Sequence, residues 1–373
     1  MKAIVLLQVR SSSKRLPNKC FLLIKKIPSI VYLYRRVASK KYFTSILTSN
    51  HKSDDFLSYT LKRYKLNFFR GSLENVKKRF LKYLENKNFD TIVRITGDNL
   101  LIDSNLITML LNNFKKSNKN YLYIDYKINN LPYGISVEIF SKKLLKNTKY
   151  RTNFDNEHVT SVFNKKNAQF KLNKYFKKKK YHLRCTLDFI EDYLALKKIL
   201  DANNLNTKWN ILCKELKKIA IYDNYFSFKV IKTKQIKSSE LKKILLLKKS
   251  YWKYSLNSQK KFFYKNYKFN DKHILLYNKK KLIGYNCLKN TKINNIKCLL
   301  LDSFIVEKSY RGKGISNMLI SKSMNEILNL EKKAFLLANK NSTKLYTGFG
   351  WKIIRSKFFN TKGKNLLTMK FNS

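Results

Sequence analysis

The chain has 373 residues, enough for two domains, and 44% of them are hydrophobic, which excludes disorder caused by a lack of apolar residues. Its formal net charge of +57 fits two interpretations: a surface that binds nucleic acid or anionic lipid, or a genome whose bias enriches Lys, Asn, Ile, Tyr and Phe together. The charge is spread along the chain without a nucleic-acid-binding motif. We therefore favour compositional bias and expect no nucleic-acid partner.

Cysteine usage and the length of the apolar runs bear on the cellular location. No run reaches the roughly 18 apolar residues of a membrane helix, and the N-terminus lacks a signal-peptide pattern. The five cysteines are scattered without metal-site spacing, which indicates reduced thiols in the core. They are Cys20, Cys185, Cys213, Cys287 and Cys298. We expect a cytoplasmic protein without a transmembrane segment, and the oligomeric state stays open, with a homodimer as one option.

Buried-strand runs alternate with helix-period segments in the N-terminal half, which is typical of an α/β fold with a mainly parallel sheet between helices. The predicted strands are Ala3–Val9, Thr44–Thr48, Asn67–Phe69, Thr91–Ile95, Val137–Phe140 and Leu183–Thr186. The predicted helices are Ile30–Ser39, Asp54–Tyr64, Glu74–Glu85, Asn105–Lys115, Phe189–Ala202 and Trp209–Lys218.

A change in element order near Ile221–Phe228 predicts a domain junction, which gives domains of residues 1–222 and 223–373. The second domain reads as α+β: a strand, two helices, a β-meander, a helix after a glycine turn, and then strand, helix, strand, strand. The predicted elements with firm bounds are Phe228–Thr233, His273–Tyr277, Leu282–Leu288, Lys297–Val306 and Gly314–Leu328.

Two features of the first domain lie directly after predicted strands. The loop Arg10–Lys19 is rich in serine and cations, and Asp98 and Asp188 end the apolar runs near residues 95 and 186. Ligands of open α/β sheets bind beyond the carboxyl ends of the strands. Guanidinium groups and backbone N–H groups there can hold a polyphosphate, and carboxylates can hold Mg²⁺. Taken alone, the loop also fits a solvated basic turn, and Asp98 also fits a helix-capping residue.

Together these segments resemble the cytidylyltransferase family that includes acylneuraminate cytidylyltransferases and the spore-coat polysaccharide biosynthesis protein F group. The resemblance covers residues 1 to about 205 and implies a Rossmann-like nucleotidyltransferase fold. Its blocks, in family order, are Arg10–Lys19, Phe69–Ser72 with Val76 and Arg79, Val93–Asp103, Tyr133–Ser141, Asp155–Thr160 and Arg184–Asp188.

The resemblance implies that a sugar-acid hydroxyl attacks the α-phosphate of CTP and that pyrophosphate leaves. It implies Mg²⁺ on Asp98 and Asp188, with Arg10, Lys19 and Asp98 as catalytic residues. Arg70 and Arg79 would lie near the nucleotide or the sugar. The implied triphosphate-binding residues are Arg10, Ser12, Ser13, Arg15 and Lys19, and the implied sugar-pocket residues are Glu138, Glu157 and His158.

The sequence departs from the family pattern at the phosphate loop. Ser12 and Asn18 stand where the family has glycines, and glycine permits a positive φ and a close backbone approach to phosphate. Asparagine adopts a left-handed conformation more readily than serine does. Tyr133 and Ser136 also replace acidic residues that are common in their block. These departures bear on substrate choice and on activity more than on the fold.

The strand Leu299–Val306 leads to Arg311-Gly-Lys-Gly-Ile-Ser316, and a helix follows at once. Free N–H groups and the positive end of a helix dipole at that place bind pyrophosphate. With Asn341, Tyr346 and Gly350-Trp351 downstream, residues 228–371 resemble the GNAT N-acetyltransferase family. Ser316 stands where the family's loop ends in glycine or alanine, and because serine is also small this departure is mild.

The second resemblance implies transfer of an acetyl group from acetyl-CoA to an amine. Tyr346 would protonate the departing thiolate of coenzyme A, and water or Asp302 would act as the base. Packing under the last strand is the structural alternative for Tyr346. The implied coenzyme-binding residues are Arg311, Gly312, Lys313, Gly314, Ile315, Ser316 and Asn341.

We therefore expect a bifunctional glycan-precursor enzyme. It would couple CTP-dependent cytidylyl transfer to a sugar acid with N-acetylation, for which an amino sugar is the expected acceptor. One alternative is an acetyltransferase with a non-catalytic nucleotide-binding domain. The other, which rests on charge alone, is a basic nucleic-acid-binding or scaffold protein.

Overall fold

The computed structural model describes residues 2–150, 152–172, 176, 182–216, 226–293, 296–354 and 366–371. By its internal contacts the chain divides into two units, residues 1–12 with 19–222, and residues 13–18 with 223–373. The predicted boundary between residues 222 and 223 lies outside the described residues, as does the end of the predicted helix Trp209–Lys218.

The first unit has a six-stranded sheet in the order β5-β4-β1-β6-β8-β7, with β2 and β3 forming a separate hairpin. Strands β5, β4, β1 and β6 run parallel, and β8 pairs antiparallel with both β6 and β7. The predicted mainly parallel sheet is confirmed. The strands are β1 Ala3–Gln8, β2 Leu23–Ile24, β3 Ile27–Pro28, β4 Phe43–Ser49, β5 Phe68–Gly71, β6 Thr91–Thr96, β7 Tyr121–Tyr123 and β8 Glu138–Ser141.

Four helices of this unit begin where a polar side chain caps them. The side chain of Asn75 accepts a hydrogen bond from Lys78 N, so the third helix begins at Val76 rather than at the predicted Glu74. Asp103 caps the fourth helix in the same way through Leu106 N. The helices are α1 Ser29–Val37, α2 Asp55–Arg63, α3 Val76–Leu84, α4 Ser104–Lys116, α5 Lys142–Asn147, α6 Asn153–Glu157, α7 Ile190–Ala202 and α8 Trp209–Glu215.

The centre of this unit is the strand β1. Its residues Ile4, Val5, Leu6 and Leu7 have no exposed surface, because β1 lies between two parallel neighbours and is covered on both faces. A continuous apolar run, rather than alternation, is the sequence pattern that such a strand requires. The first polar residues after β1 are therefore the first residues that can reach a ligand at this edge of the sheet.

The predicted strand Leu183–Thr186 is wrong. This segment forms a single bridge between Arg184 and Tyr133, with hydrogen bonds to the Tyr133 backbone on one side. Leu187 N then donates to Asp98 O (2.9 Å), so the segment changes partner before a ladder can form. It is an extended connection that carries Asp188 to the sheet edge.

The second unit has a seven-stranded sheet in the order β14-β15-β13-β12-β11-β10-β9. All neighbours pair antiparallel except β12 and β13. The predicted order of elements is confirmed. The strands are β9 Phe226–Lys232, β10 Lys272–Asn278, β11 Lys281–Ile293, β12 Ile296–Val306, β13 Ala334–Asn339, β14 Lys352–Ile354 and β15 Leu366–Phe371. The helices are α9 Ser238–Tyr251, α10 Leu256–Asn266, α11 Ile315–Asn329 and α12 Thr343–Gly348.

Two irregularities open this second sheet near its middle. The parallel pairing of β12 with β13 is limited to Leu299–Leu301 against Ala334–Leu336, after which the two strands separate. The register of β11 and β12 also shifts between Tyr285 and Cys287, and Ser303 has a φ of 54° at that place. A bulge of this kind redirects neighbouring side chains, so Asp302 and its successors need not alternate between faces.

In the described parts of the chain no helix is both long enough and apolar enough to cross a membrane. The five cysteines are free and buried, as the scattered spacing predicts.

Candidate active sites

Lys19 joins two carboxylates at the edge of the first unit's sheet. Its ammonium nitrogen lies 2.7 Å from Asp98 Oδ2 and 3.1 Å from Asp188 Oδ1, and all three side chains are largely buried. The two predicted metal ligands therefore face a common point. The sequence prediction that Asp98 and Asp188 meet beyond the strand ends agrees with this geometry, while the position of Lys19 between them was not predicted.

Backbone contacts fix this arrangement. Gly97 N donates to Gln8 O at 2.8 Å, and a Cβ added at Gly97 would lie 2.9 Å from Val9 Cβ, so only glycine permits this approach. On the other side, Gly134 has a φ of 111°, and a Cβ there would lie 2.5 Å from Thr186 N. Four segments that are distant in sequence are thus packed closely, in the pairs 8–9 with 97 and 134 with 185–186, and the last of them carries Asp188 to Asp98.

The charges of this cluster support one another. Burial alone would lower the pKa of Lys19, but the carboxylates of Asp98 and Asp188 outweigh it and raise that pKa. Burial alone would raise the pKa of Asp98, but the Lys19 ammonium outweighs it and lowers that pKa. Lys19 is thus a cation and Asp98 an anion throughout the neutral pH range.

Arg184 supports Asp188 from the other side. Its Nη2 lies 3.5 Å from Asp188 Oδ2 and 3.0 Å from Asp192 Oδ2. Asp192 has no exposed surface and also accepts hydrogen bonds from Asp188 N and Phe189 N. Sequence reasoning missed Asp192, although an aspartate three residues into a helix is a common cap signal.

The beginning of the phosphate loop is anchored by Asp54. This carboxylate has no exposed surface and accepts hydrogen bonds from Ser11 N (2.8 Å) and Ser11 Oγ (2.7 Å). It also accepts from Thr48 Oγ1 and from Ser49, which ends β4. Next to Ser11, the guanidinium of Arg10 lies 2.7 Å from the carboxylate of Glu157. Two predicted site residues are therefore paired, and Asp54 is a positioning residue that the sequence analysis did not identify.

The two replaced glycines of the loop behave differently. Asn18 has a φ of 60°, the left-handed conformation for which the family uses glycine, and asparagine is among the side chains that adopt it most readily. Ser12 does not have a positive φ, so its side chain imposes no such strain. Ser13 and Arg15, like Asn18, belong to residues 13–18, which group with the second unit by internal contacts.

Arg70 and Arg79 line a separate basic cavity of ≈630 Å³ beyond β4 and β5. Arg70 donates to Ser49 O (2.9 Å) and pairs with Asp55 (2.7 Å). Arg79 is 2% exposed and donates to Ser72 O through two nitrogens, so its guanidinium holds the loop after β5. Lys19 and Asp98 do not line this cavity.

The predicted sugar-pocket residues Glu138, Glu157 and His158 each have different partners. Glu138 pairs with Arg94 and accepts hydrogen bonds from Tyr121 and Thr160 within the sheet. The ring of His158 lies 4.3 Å from that of Phe154. The contacts of Glu138 with Arg94, Tyr121 and Thr160 form a partly buried hydrogen-bond network.

The second unit contains a cavity of ≈610 Å³ where β12 and β13 separate. Three of the predicted site residues line it: Arg311, Ser316 and Tyr346. Asp302 also lines it. Ile315 is buried beside it in the core, and Asn341 is exposed and does not line it.

The glycine loop opens a helix, as predicted. Gly312 has a φ of 72° and Gly314 a φ of 76°, both left-handed. Gly314 is the N-cap of α11, and no side chain caps that helix. The guanidinium of Arg311 is fixed by a hydrogen bond to Val306 O (2.9 Å). The first N–H groups of a 15-residue helix thus follow a turn with two left-handed glycines and no side-chain cap, which is the arrangement that binds phosphates.

Tyr346 lies in α12, with its ring edge-on to Phe304 (5.8 Å) and Trp351 (6.3 Å). Burial, together with the nearby Tyr251, raises its pKa well above the usual range. The phenol is therefore protonated at neutral pH, as a proton donor must be. Asp302 accepts a hydrogen bond from Tyr267 Oη at 3.1 Å.

The first site offers two carboxylates to a metal ion. Mg²⁺ is commonly held by one or two carboxylates and completes its shell with water and substrate phosphates. Asp98 and Asp188 supply two carboxylates directed at one point, at which Lys19 provides the positive charge. Within the described ranges no group of three or more His, Cys, Asp and Glu side chains could hold a metal. The residues fit an ion that the substrate helps to bind.

The first unit thus has the geometry of a nucleotide-binding α/β domain, and the second has a split sheet with a phosphate-type helix turn. Residues 4–216 match the family described as cytidylyltransferase, and the chain belongs to that family. Residues 249–373 match the family described as acetyltransferase (GNAT) domain. Both parts are transferase domains, of classes that use CTP and acetyl-CoA.

Similar proteins match the N-terminal part. An uncharacterized protein of Methanocaldococcus jannaschii is 32% identical over 222 residues, which are 56% of this chain and 88% of the relative. The spore coat polysaccharide biosynthesis protein SpsF of Bacillus subtilis is 28% identical over 206 residues, 52% of this chain and 83% of the relative. The structure of a cytidylyltransferase from Leptospira borgpetersenii matches with a TM-score of 0.54 at 25% identity, covering 60% of this chain and 99% of that one.

Proposed function

We propose that the first unit transfers a cytidylyl group from CTP to a hydroxyl of a sugar acid. The observation that carries this proposal is the cluster in which Lys19 joins Asp98 and Asp188 at the strand ends. In the reaction the hydroxyl oxygen bonds to the α-phosphorus, the bond to the pyrophosphate oxygen breaks, and one proton is released.

In this proposal the chain's cations and carboxylates have separate tasks. Lys19 and Arg10 hold the triphosphate oxygens and offset the charge that develops on the leaving pyrophosphate. Asp98 and Asp188 would hold Mg²⁺ together with the phosphates, and the ion would supply charge neutralisation. Asp54 keeps the loop at Ser11 in place, and so keeps Arg10 at the sheet edge.

The test measures pyrophosphate release from CTP with Mg²⁺ and a panel of sugar acids. We expect Asp98→Asn to lower kcat at least about a hundredfold, because it removes one of two charges that face the phosphates. Asp201→Asn, an exposed carboxylate in α7, is the matched control and keeps its activity. Unchanged turnover in Asp98→Asn would remove the proposed metal role. CTP that binds to the wild type without turnover would favour a non-catalytic nucleotide-binding domain.

For the second unit we propose acetyl transfer from acetyl-CoA to the amine of an amino sugar. The supporting observation is the cavity that Arg311, Asp302 and Tyr346 line together. The amine nitrogen attacks the thioester carbonyl carbon, and the bond from that carbon to sulfur breaks. Tyr346 donates a proton to the thiolate, and Asp302 accepts the proton that the amine loses.

Release of the coenzyme A thiol from acetyl-CoA in the presence of amino sugars measures this activity. We expect Tyr346→Phe to lower kcat by about 10²–10⁴-fold, because the thiolate then leaves without a proton donor. Tyr264→Phe, whose side chain is 64% exposed and lies outside the cavity, should retain full activity. Equal rates in both variants would show that Tyr346 only packs under the sheet.

We infer that both activities serve the synthesis of a surface-glycan precursor. The relative from Bacillus subtilis bears a name in spore coat polysaccharide biosynthesis, and it matches the first unit. CTP and acetyl-CoA are both cytoplasmic metabolites, so we place the enzyme in the cytoplasm. A glycan whose amount or acetylation is unchanged when the chain is deleted from its host would contradict this role.

A further inference from the structure

Lys248 occupies a position at which the sequence pattern of α9 requires an apolar residue. Ile244 and Leu245 lie three and four residues after Leu241, and Lys248 lies four and three residues after them. The four residues therefore share one helix face. All four are buried, and Lys248 is only 1% exposed. A lysine on the core face of a helix is uncommon, because an ammonium removed from water is unfavourable unless a partner compensates for it.

The partners of this ammonium are weak ones. Its nitrogen lies 3.2 Å from Tyr267 Oη, and it lies over the rings of Phe262 (4.8 Å) and Trp252 (5.7 Å). No carboxylate of the described residues lies within ion-pair distance of it. Aromatic faces offset part of the desolvation but not the whole charge. The Asp302 carboxylate reaches this ammonium only through the Tyr267 phenol, so Lys248 can still pair directly with an anion of a ligand.

Lys248 lines a cavity of ≈370 Å³ that has three aromatic residues among its eight lining residues. Its lining residues are Lys248, Trp252, Tyr254, Ser258, Gln259, Phe262, Asp302 and Ser303. Three of them, Trp252, Asp302 and Ser303, also line the larger cavity that contains Tyr346. The two cavities thus meet at the bulge in β12, so a ligand in the smaller one can present a group to the larger one.

Tyr267 sets the spacing of the two charges in the smaller cavity. Its phenol oxygen contacts both the Lys248 nitrogen (3.2 Å) and Asp302 Oδ2 (3.1 Å), and it also bonds to Ser303 Oγ (2.9 Å). A cation and an anion are therefore each one hydrogen bond away from the same atom. A ligand that bears an amine and a carboxylate on one small skeleton complements both.

We propose that the smaller cavity binds the acceptor, and that the acceptor is an amino sugar that also carries a carboxylate. This inference rests on the acetyl transfer proposed above. The amine lies at Asp302, facing the thioester, while the carboxylate pairs with Lys248 and restores the charge balance of its surroundings. The rings of Trp252 and Phe262 pack against the apolar face of the sugar.

This acceptor also links the two proposed reactions. The acceptor of the second unit and the proposed substrate of the first are then the same class of compound, a carboxylated sugar. Acetylation of its amine and cytidylylation of its hydroxyl are two modifications of one molecule, made by one chain.

The experiment compares two acceptors that share a ring, glucosamine and 2-amino-2-deoxyglucuronic acid, which differ only at the carboxylate. Thiol release from acetyl-CoA gives kcat/KM for each. We expect the wild type to prefer the acid at least about tenfold. In Lys248→Met, which keeps the length but loses the charge, that ratio should fall about tenfold.

Lys289→Met is the matched control, because Lys289 also lies over the Tyr267 ring (5.4 Å) but does not line the cavity, so its ratio should stay at the wild-type value. Should Lys248→Met fail to fold, inhibition of the wild type by glucuronic acid decides instead, with competition against glucosamine expected.

No preference in the wild type, a preference retained in Lys248→Met, or no competition by glucuronic acid overturns the inference while leaving acetyl transfer intact. Absence of thiol release with every amine tested overturns the acetyl-transfer proposal itself, and the inference with it.

Discussion

His273 is a fully buried histidine at the second position of β10 in the second unit. Its Nδ1 lies 2.8 Å from Tyr285 Oη and its Nε2 lies 2.9 Å from Thr233 Oγ1. Burial, and to a lesser degree the Lys248 cation, lower its pKa from 6.5 to about 3. The side chain is therefore a neutral hydrogen-bonding residue of the core, with no part in the proposed chemistry.

This burial predicts a pH dependence of stability. The unfolded chain binds a proton at His273 near pH 6.5, while the folded chain does not until about pH 3. The stabilisation is therefore complete above pH 6.5 and is lost as the pH falls toward 3. We expect the opening free energy of β10 and β11, measured by native-state hydrogen exchange, to fall by about 1.4 kcal/mol for each pH unit as the pH is lowered from 6.5 toward 3.

His273→Gln should remove this slope, whereas His51→Gln, at an exposed histidine, should keep it. An equal slope in all three proteins would assign it to other groups.

Individual site residues differ in how far the sequence could reveal them. Asp98 follows the parallel strand β6, so the rule that parallel strands end at one edge predicts its position. For Asp188 the same rule was applied to Leu183–Thr186, which is not a strand, and this extended segment carries Asp188 to the edge instead. Asp54 and Lys248 do not follow apolar strands. The importance of Asp54 lies in its contact with Ser11, and that of Lys248 in its burial beside Tyr267, and both contacts join residues that are distant in sequence. Lys248 breaks the apolar stripe of α9, which is the one mark that could have singled it out.

At the scale of elements, the turn before α11 depends on backbone conformation rather than on side chains. Gly312 has a φ of 72°, and a Cβ added there would meet no atom within 4 Å. Gly348, at the end of α12, has equally open surroundings but no left-handed φ. The two glycines therefore separate the effect of conformation from the effect of space.

We predict that Gly312→Ala destabilises the turn by about 1 kcal/mol, because an L-residue in the left-handed region is strained. The KM for acetyl-CoA should rise severalfold, since the N–H groups of the turn shift away from the phosphates. Gly348→Ala should leave KM unchanged, because a helical alanine costs nothing there. A normal KM in Gly312→Ala would mean that the turn does not hold the coenzyme.

Long periodic elements were predictable, and short or irregular ones were not. The apolar run of β1 and the spacing of α11 define a buried parallel strand and an amphipathic helix without reference to the rest of the chain. The three-residue strand β7 is too short to show a period. Leu183–Thr186 was predicted as a strand from its apolar residues, but its hydrogen-bond partners change after one bridge, which only the tertiary structure determines.

For the whole molecule, the open question is what 80 basic against 23 acidic residues do. The cavities described above measure ≈370 to ≈630 Å³, which is the size range of small-molecule sites. Several of the lysines serve local purposes that need no polymer partner, such as the ion pair of Lys19 and the buried cation of Lys248. The length allows two domains and two family models match the chain, whereas net charge by itself indicates no particular ligand.

We therefore predict that any binding to nucleic acid is purely electrostatic. In an electrophoretic shift assay with random RNA, the apparent affinity should fall by about 10³-fold or more between roughly 50 and 200 mM salt, as counterion release requires when several phosphates are contacted. RNAs of different sequence should bind equally, and heparin should compete with all of them. Sequence-selective binding that persists at the higher salt concentration would contradict compositional bias and would make nucleic acid a specific partner of this chain.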